Sequence, residues 1–204
     1  DDEARLFISR IKTSGVRMKA LIKDILLFSK TAMEKESFVE SDLNILLSEV
    51  LLEMETSIAE KKANIVAGKL PALFVNPALI RPLFFNLISN ALKYSKKDTA
   101  PEVRIYAESN TEHNGNAPYE AKNQYYRIYI RDNGIGFEQK YSEQIFGMFK
   151  RLHLHNEFEG TGIGLALCKK IVEEHKGFIT AQSKVNEGST FIISLPVIHS
   201  TEQN

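Results

Sequence analysis

Three short stretches of this chain carry the residue types and spacings that could do chemistry. The first contains Asn86, Asn90 and Lys93, whose i, i+4, i+7 spacing places them on one face of a helix. Amide oxygens suit a hard cation such as Mg²⁺, and an ammonium group suits a phosphate. A solvated polar stripe would have the same spacing, so this stretch alone leaves both interpretations open.

The second stretch is Asp132-Asn133-Gly134-Ile135-Gly136. It follows an alternating run, residues 125–131, that predicts a half-buried strand with Asp132 at the end of one row of side chains. The two glycines allow a sharp turn and the close approach of a bulky group, and the carboxylate can accept a hydrogen bond from an amino group on a flat ring. Asn-Gly is also a common hairpin turn, which is the simpler interpretation of this stretch by itself.

The third stretch is Gly160-Thr161-Gly162-Ile163-Gly164-Leu165, which opens a helix predicted to run to about His175, with Gly177 as its end signal. Glycines free the backbone N–H groups to approach an anion, and the helix dipole adds partial positive charge there. The stretch does not follow a strand and lacks the Lys-Ser/Thr ending of a P-loop, so neither standard phosphate-binding fingerprint applies.

The elements that must position these stretches are predicted from hydrophobic periodicity. Residues 4–33 form an amphipathic helix whose wide apolar stripe needs partner helices. The remaining predictions are a helix over 43–58, a strand over 64–70, a helix from Pro77 to about Tyr94 capped by Asn76, a strand over 102–107, a polar loop over 109–124, a strand over 125–132, a long lid-like connection over 137–161 and a closing hairpin of strands 178–183 and 190–195.

Composition sets limits on the kind of protein. The chain has 204 residues, 43% hydrophobic and 25% charged, with a formal net charge of +0, so overall charge gives no case for nucleic acid or an anionic membrane surface. The single cysteine, Cys168, excludes an intrachain disulfide and favours a reducing compartment, the cytoplasm. No apolar run approaches the length of a membrane span, so we expect no membrane contact by this segment, although it could be the cytoplasmic part of a membrane-bound sensor.

The order of the three stretches is more specific than any one of them. It resembles the ATP-binding domain of sensor histidine kinases, in the wider GHKL group with gyrase B and the heat-shock chaperone ATPases. The matching boxes are the asparagine box 83–95, the first glycine box 132–136, the phenylalanine box 145–149, the second glycine box 160–165 and a third box, Gly188-Ser189-Thr190.

The resemblance implies a fold and a domain organisation. The fold would be an α/β (α+β) two-layer sandwich, the Bergerat ATP-binding fold, in which helices cover one face of a mixed sheet. Residues 37–197 would be this catalytic domain, residues 1–34 the second helix of an incomplete dimerisation and phosphotransfer bundle, and residues 198–204 a tail. The helix at 4–33 would form a homodimer and help to dock the receiver domain of a response regulator.

The resemblance also implies roles for single residues in binding ATP and Mg²⁺. Asp132 would accept a hydrogen bond from the adenine amino group, Gly134 and Gly136 would make room for the base, and Asn90 would ligate Mg²⁺. The phosphates and ribose would be supported by Asn86, Lys93, Tyr94 and Arg151, and the triphosphate would be wrapped by the second and third glycine boxes, namely Gly160, Thr161, Gly162, Ile163, Gly164, Leu165 and Thr190.

Two departures from the family define the expected activity. None of the five histidines has the sequence context of the family's phosphoacceptor, so the chain is expected to begin after that residue and to be unable to phosphorylate itself there. Family members that hydrolyse ATP carry a glutamate where this chain has Asn86, and an amide is not a general base. A histidine kinase is therefore favoured over a GHKL ATPase or serine switch kinase, and a non-catalytic nucleotide-binding scaffold is the third alternative.

Overall fold

The structure is a computed structural model that describes residues 38–110, 125–150, 152 and 161–197, together with thirteen positions between residues 5 and 26. All of those thirteen positions are helical, as predicted, and several of their apolar side chains are exposed: Phe7, Ile8, Ile11, Met18, Ile22, Ile25 and Leu26. The predicted end of this helix, the residues up to 37 and the tail lie outside the described residues, so the division into domains stays a prediction.

Two sheets form the β layer. β1 (Val39–Asp42) pairs antiparallel with β3 (Ala72–Val75) in a small sheet. The large sheet has the order β2 (Asn64–Ala67), β4 (Glu102–Asn110), β5 (Tyr125–Asp132), β7 (Gly188–Pro196) and β6 (Phe178–Lys184). The β2–β4 pair is parallel and the other pairs are antiparallel, so the mixed sheet is confirmed.

Four helices lie on one face of the large sheet. They are α1 (Leu43–Glu53), α2 (Glu55–Glu60), α3 (Pro77–Lys93) and α4 (Gly164–Glu174). Alternation in the strands turns apolar side chains such as Ile105 and Ile130 toward α3, where Leu83 and Leu87 meet them in one buried core. The other face of the sheet carries Tyr106 and Tyr129, which stack with their ring centroids 4.7 Å apart. This is the predicted two-layer sandwich.

Two predictions in the first half of this domain were wrong. The helix expected over residues 43–58 is divided at Met54, where the backbone leaves the helical region between α1 and α2. The strand expected over residues 64–70 ends at Ala67, and a separate strand, β3, follows Pro71. β3 was missed because it has only four residues and lies directly before the cap of α3, where turn residues dominate the pattern.

The end of α4 also differs from its prediction. Lys176, with φ 58°, adopts the left-handed conformation expected of Gly177. Gly177 is required for another reason, because a Cβ there would lie 2.1 Å from the carbonyl oxygen of Ser194 on β7. Within the described residues no helix is both long and apolar enough to cross a membrane.

Candidate nucleotide-binding site

Asp132 ends β5 at the edge of the core, where it is 9% exposed. Its Oδ1 accepts hydrogen bonds from the backbone N–H groups of Gly134, at 2.8 Å, and Ser189, at 3.2 Å. No hydrogen bond to Oδ2 is found among the described residues, so this oxygen can accept a donor from a ligand. Burial raises the pKa of the Asp132 carboxyl, and the two backbone hydrogen bonds and the charge of Lys96 oppose that shift.

The first glycine box fits tightly between neighbouring elements. A Cβ at Gly134 would lie 2.5 Å from the carbonyl oxygen of Tyr94, and a Cβ at Gly136, where φ is 60°, would lie 2.1 Å from that of Lys184. The N–H of Ile135 donates to the Tyr94 carbonyl at 2.9 Å. The stretch is therefore not a simple hairpin turn, because it joins the end of α3 to the β6–β7 hairpin.

The polar row on α3 lies beside this turn. Asn90 lines the space next to Asp132 and also a second cavity that adjoins it. Lys93 and Asn86, which lies one turn before Asn90, line the second cavity. The Nδ2 of Asn86 donates to the carbonyl oxygen of Pro82 at 2.9 Å. The Nζ of Lys93 donates to the hydroxyl of Tyr94 at 2.9 Å and lies 4.4 Å from the centre of its ring. Asn86 and Lys93 are therefore held by contacts, and the row is not a freely solvated stripe.

Two adjoining cavities meet at this row. The first contains Asp132 between apolar walls that include Ile135, Phe137 and Phe191, which suits a flat aromatic ring. The second is polar and suits an anion. Its lining includes Asn86, Lys93, Thr161, Gly162 and Gly164. Both cavities share Asn90, Tyr94, Ile145, Lys150 and Leu165, so one extended ligand can occupy both.

The second glycine box approaches α3 closely at the start of α4. A Cβ at Gly164 would lie 2.7 Å from the Oδ1 of Asn86. Gly162 has φ 76°, and its carbonyl accepts a hydrogen bond from the N–H of Phe149 at 2.9 Å. Ile163 is fully buried and lines neither cavity. Gly160 and Arg151 lie outside the described residues.

The connection after β5 contains two short 3-10 helices, Gln139–Tyr141 and Gln144–Phe146. Phe146 is buried and packs edge-to-face on Phe191, with ring centroids 6.4 Å apart, whereas Phe149 is 60% exposed. Of the two phenylalanines in the phenylalanine box 145–149, Phe146 therefore packs into the core and Phe149 does not. Most of its later part, including His153 and His155, lies outside the described residues.

Sequence reasoning named Thr190 and missed Ser189. Thr190 pairs with Arg131, one residue before Asp132, and is not among the residues that line either cavity. Ser189 lines the first cavity, donates to Asp132 and lies two residues before the buried Phe191. Alternation along β7 could have found it. Lys150, which lines both cavities, was also missed.

Comparisons with known proteins agree with this geometry. The model of the family described as histidine kinase-, DNA gyrase B-, and HSP90-like ATPase matches residues 75–199. Cyanobacterial phytochrome A of Nostoc sp. (strain PCC 7120 / SAG 25.82 / UTEX 2576) is 36% identical over 197 residues, which are 97% of this chain and 24% of that protein. This chain belongs to the histidine kinase-, DNA gyrase B- and HSP90-like ATPase family.

Solved structures have a similar fold. Full-length ShkA in complex with AMPPNP has a TM-score of 0.72 at 21% identity, over 97% of this chain and 40% of that one. Histidine kinase ThkA in complex with the response regulator protein TrrA has a TM-score of 0.67 at 21% identity, over 94% of this chain and 51% of that one. The predicted fold class and the predicted resemblance to the ATP-binding catalytic domain of sensor histidine kinases are confirmed.

The chain spans about a quarter of the length of the first curated relatives it matches, with shares of 24%, 25% and 22%. The family match supports ATP binding by the domain itself. Because the chain is only part of the length of these relatives, the activity and partners of the whole protein are proposals.

Proposed function

We propose that this domain holds ATP across the two cavities and transfers its γ-phosphoryl group to a histidine on a helix outside these 204 residues, for onward transfer to an aspartate of a response regulator. The observation that carries the proposal is the orientation of Asp132. Both backbone hydrogen bonds use Oδ1, which leaves Oδ2 in the apolar cavity to accept the amino group of adenine. The polar cavity then receives the phosphates.

Each cavity residue has a role in this proposal. Gly136 brings the backbone close to the base, and Gly134, which lines neither cavity, lets the turn pack against the Tyr94 carbonyl. Tyr94 and Leu165 border the passage between the two cavities. Lys93, Thr161, Gly162 and Gly164 surround the phosphates, with Asn86 behind Gly164, and Lys150 adds a positive charge that both cavities share. Ile163 supports the loop from the core. Gly160 and Arg151 keep their predicted roles, and Thr190 has no contact that supports one.

Mg²⁺ fits the donor set of the polar cavity. No group of three His, Cys, Asp or Glu side chains that could hold a metal lies within the described residues. The amide oxygen of Asn90 is a hard neutral ligand of the kind that Mg²⁺ accepts when phosphate and water oxygens complete its shell. A bound magnesium ion would neutralise phosphate charge, and Asn90 would hold it near Lys93.

The contacts of Asn86 favour a kinase over a hydrolase. Its amide donates to the Pro82 carbonyl and its Oδ1 faces Gly164, so it holds the start of α4 and has no group that can deprotonate water. A non-catalytic scaffold, the third alternative, would bind nucleotide without transferring phosphate.

The acceptor histidine must come from elsewhere. His175 is 2% exposed and both of its ring nitrogens are hydrogen-bonded within the protein, so it cannot reach a γ-phosphate. The other four histidines lie outside the described residues and lack the acceptor context in the sequence. The exposed apolar side chains of the N-terminal helix support its role in a homodimer that also receives the receiver domain of the regulator. A cytoplasmic location follows from this role.

The test is a calorimetric titration of the chain with ATP, with and without Mg²⁺, followed by supply of an acceptor helical hairpin and radiolabelled ATP. We expect binding that Asp132→Ala strongly weakens, and label on a histidine of the hairpin. Glu53→Ala is the matched control, because it removes an exposed carboxylate on α1 that lines neither cavity. Binding without any transfer would favour the scaffold, and release of phosphate without an acceptor would favour the ATPase.

A further inference from the structure

α3 and α4 run antiparallel with a fixed register that three contacts define. The N–H of Asn76, at the start of α3, donates to Nε2 of His175 at 3.0 Å. Halfway along, the thiol of Cys168 lies 3.9 Å from the carbonyl oxygen of Leu83. Gly164, at the start of α4, faces Asn86. One end of this helix pair is therefore at the nucleotide site and the other is at His175.

The two contacts of His175 determine its tautomer. Since Nε2 accepts the N–H of Asn76, it carries no proton, and Nδ1 must carry the proton that is donated to the carbonyl oxygen of Ile171 at 2.7 Å. Asn76 is 3% exposed and is the N-cap of α3, where its Oδ1 accepts from the N–H of Ala78 at 2.9 Å. The imidazole thus joins the end of α4 to the cap of the helix that carries Asn86 and Asn90.

The surroundings keep the imidazole neutral. Its ring packs on Phe38, with centroids 4.9 Å apart, and Phe38 stacks on Phe74 of β3 at 6.3 Å. Burial lowers the pKa of His175, and the hydrogen bond to Ile171 and the charge of Glu174 oppose that shift. The groups that contact the ring from the other elements, Phe38 and the backbone of Asn76, are uncharged.

We propose that His175 is a positioning residue for nucleotide binding, which sets the register of α4 on α3 through its bond to Asn76 and so holds Gly162 and Gly164 beside Asn86. Protonation would put a second donor on Nε2 opposite the Asn76 N–H, and the bond would be lost. α4 could then slide along α3, and the close approach of Gly164 to Asn86 would not be maintained.

The experiment compares ATP affinity and folding stability in the 204-residue chain and three variants. His175→Leu removes both polar contacts, whereas His175→Gln keeps an acceptor for the Asn76 N–H and cannot be protonated. Ile105→Val removes a buried methylene on β4 from a residue that lines neither cavity, and so controls for general loss of stability. We expect Kd for ATP to rise about three- to tenfold in His175→Leu, and to stay near the wild-type value in the other two.

The pH dependence separates positioning from packing. Because the neutral form is the competent one, wild-type affinity should fall as the pH drops below 6.5 through the lowered pKa of His175, and His175→Gln should lack this loss. Asp132 contributes equally to both profiles, so their difference belongs to His175. Folded His175→Leu with wild-type affinity, or superimposable pH profiles, would overturn the inference.

The inference rests on the proposed nucleotide site, and the two fail differently. Failure of the wild-type chain to bind ATP would refute both the nucleotide site and the role of His175. ATP binding that is insensitive to substitution of His175 would refute only the positioning role of His175.

Discussion

Replacing Asp132 by asparagine should change which base the site accepts. Two backbone N–H groups, at 2.8 Å and 3.2 Å, are bonded to Oδ1, and an asparagine must present its amide oxygen to them. Its Nδ2 then takes the place of Oδ2 in the apolar cavity. That nitrogen donates hydrogen bonds and accepts none, so it opposes the amino group of adenine and suits a carbonyl at the same ring position.

The size of the effect follows from the bond that is lost. A hydrogen bond to a charged group contributes about 1.5–3 kcal/mol, so ATP should bind about ten- to a hundredfold more weakly to Asp132→Asn. Inosine triphosphate has a carbonyl where ATP has the amino group, so the substitution should reduce its affinity much less. It should bind the variant better than ATP does. The wild-type protein should instead bind ATP more tightly than inosine triphosphate, because the inosine carbonyl and Oδ2 of Asp132 are both acceptors.

Isothermal titration of both nucleotides into wild-type, Asp132→Asn and Asp132→Ala protein measures this exchange. Asp132→Ala is the control for simple loss of the carboxylate, and it should weaken ATP without favouring the inosine nucleotide. An Asp132→Asn variant that keeps the wild-type ratio of the two affinities would refute the assigned orientation of the side chain.

Two further substitutions and one dependence on pH are also testable. Gly164→Ala places a Cβ 2.7 Å from Asn86 Oδ1 and should weaken ATP binding about fivefold or more in a titration, whereas Gly15→Ala, with nothing within 4 Å, should not. Asp42→Ala removes the N-cap of α1 and should lower the free energy of unfolding in urea by about 1 kcal/mol, with Kd for ATP unchanged. The pKa of Asp132 is raised above 3.8 in the folded state, so the folded state binds the carboxyl proton more tightly than the unfolded state does. The free energy of unfolding of the wild type should therefore fall relative to that of Asp132→Asn as the pH rises from 3.8 through the raised pKa. A rise in stability over the same interval would contradict the shift.

The parts of the fold that the sequence predicts are those with a long, regular pattern. α3 begins at Pro77 and ends at Lys93, as its cap, proline and apolar doublets indicate, and the row of side chains in β5 leads to Asp132 as alternation requires. The break at Met54 has no such signal, because the apolar stripe continues through it to Ile58.

Asp132 was predicted because its chemistry needs one residue type, whereas Ser189 was missed because its backbone acts. Ser189 binds Asp132 through its N–H, which any residue except proline could supply, so its residue type gives no signal and only the alternation along β7 places it on the core face. Lys176 adopts the left-handed conformation in place of the glycine beside it, because the space at Gly177 is needed by Ser194 of β7. Lys176 and Gly177 are therefore both positions that favour glycine, the first for its backbone angle and the second for lack of space. Which of them has the glycine depends on tertiary packing and cannot be predicted from the local sequence.

The buried thiol of Cys168 offers a built-in probe of motion between the two helices that form the site. It is the single cysteine of the chain, it is fully buried against α3, and burial strongly raises its pKa. A thiol reagent can therefore react only when the packing of α4 on α3 opens, either locally or by unfolding of the domain, and the rate of labelling reports how often this happens. ATP bridges the two helices in our proposal, so saturating nucleotide should slow that labelling.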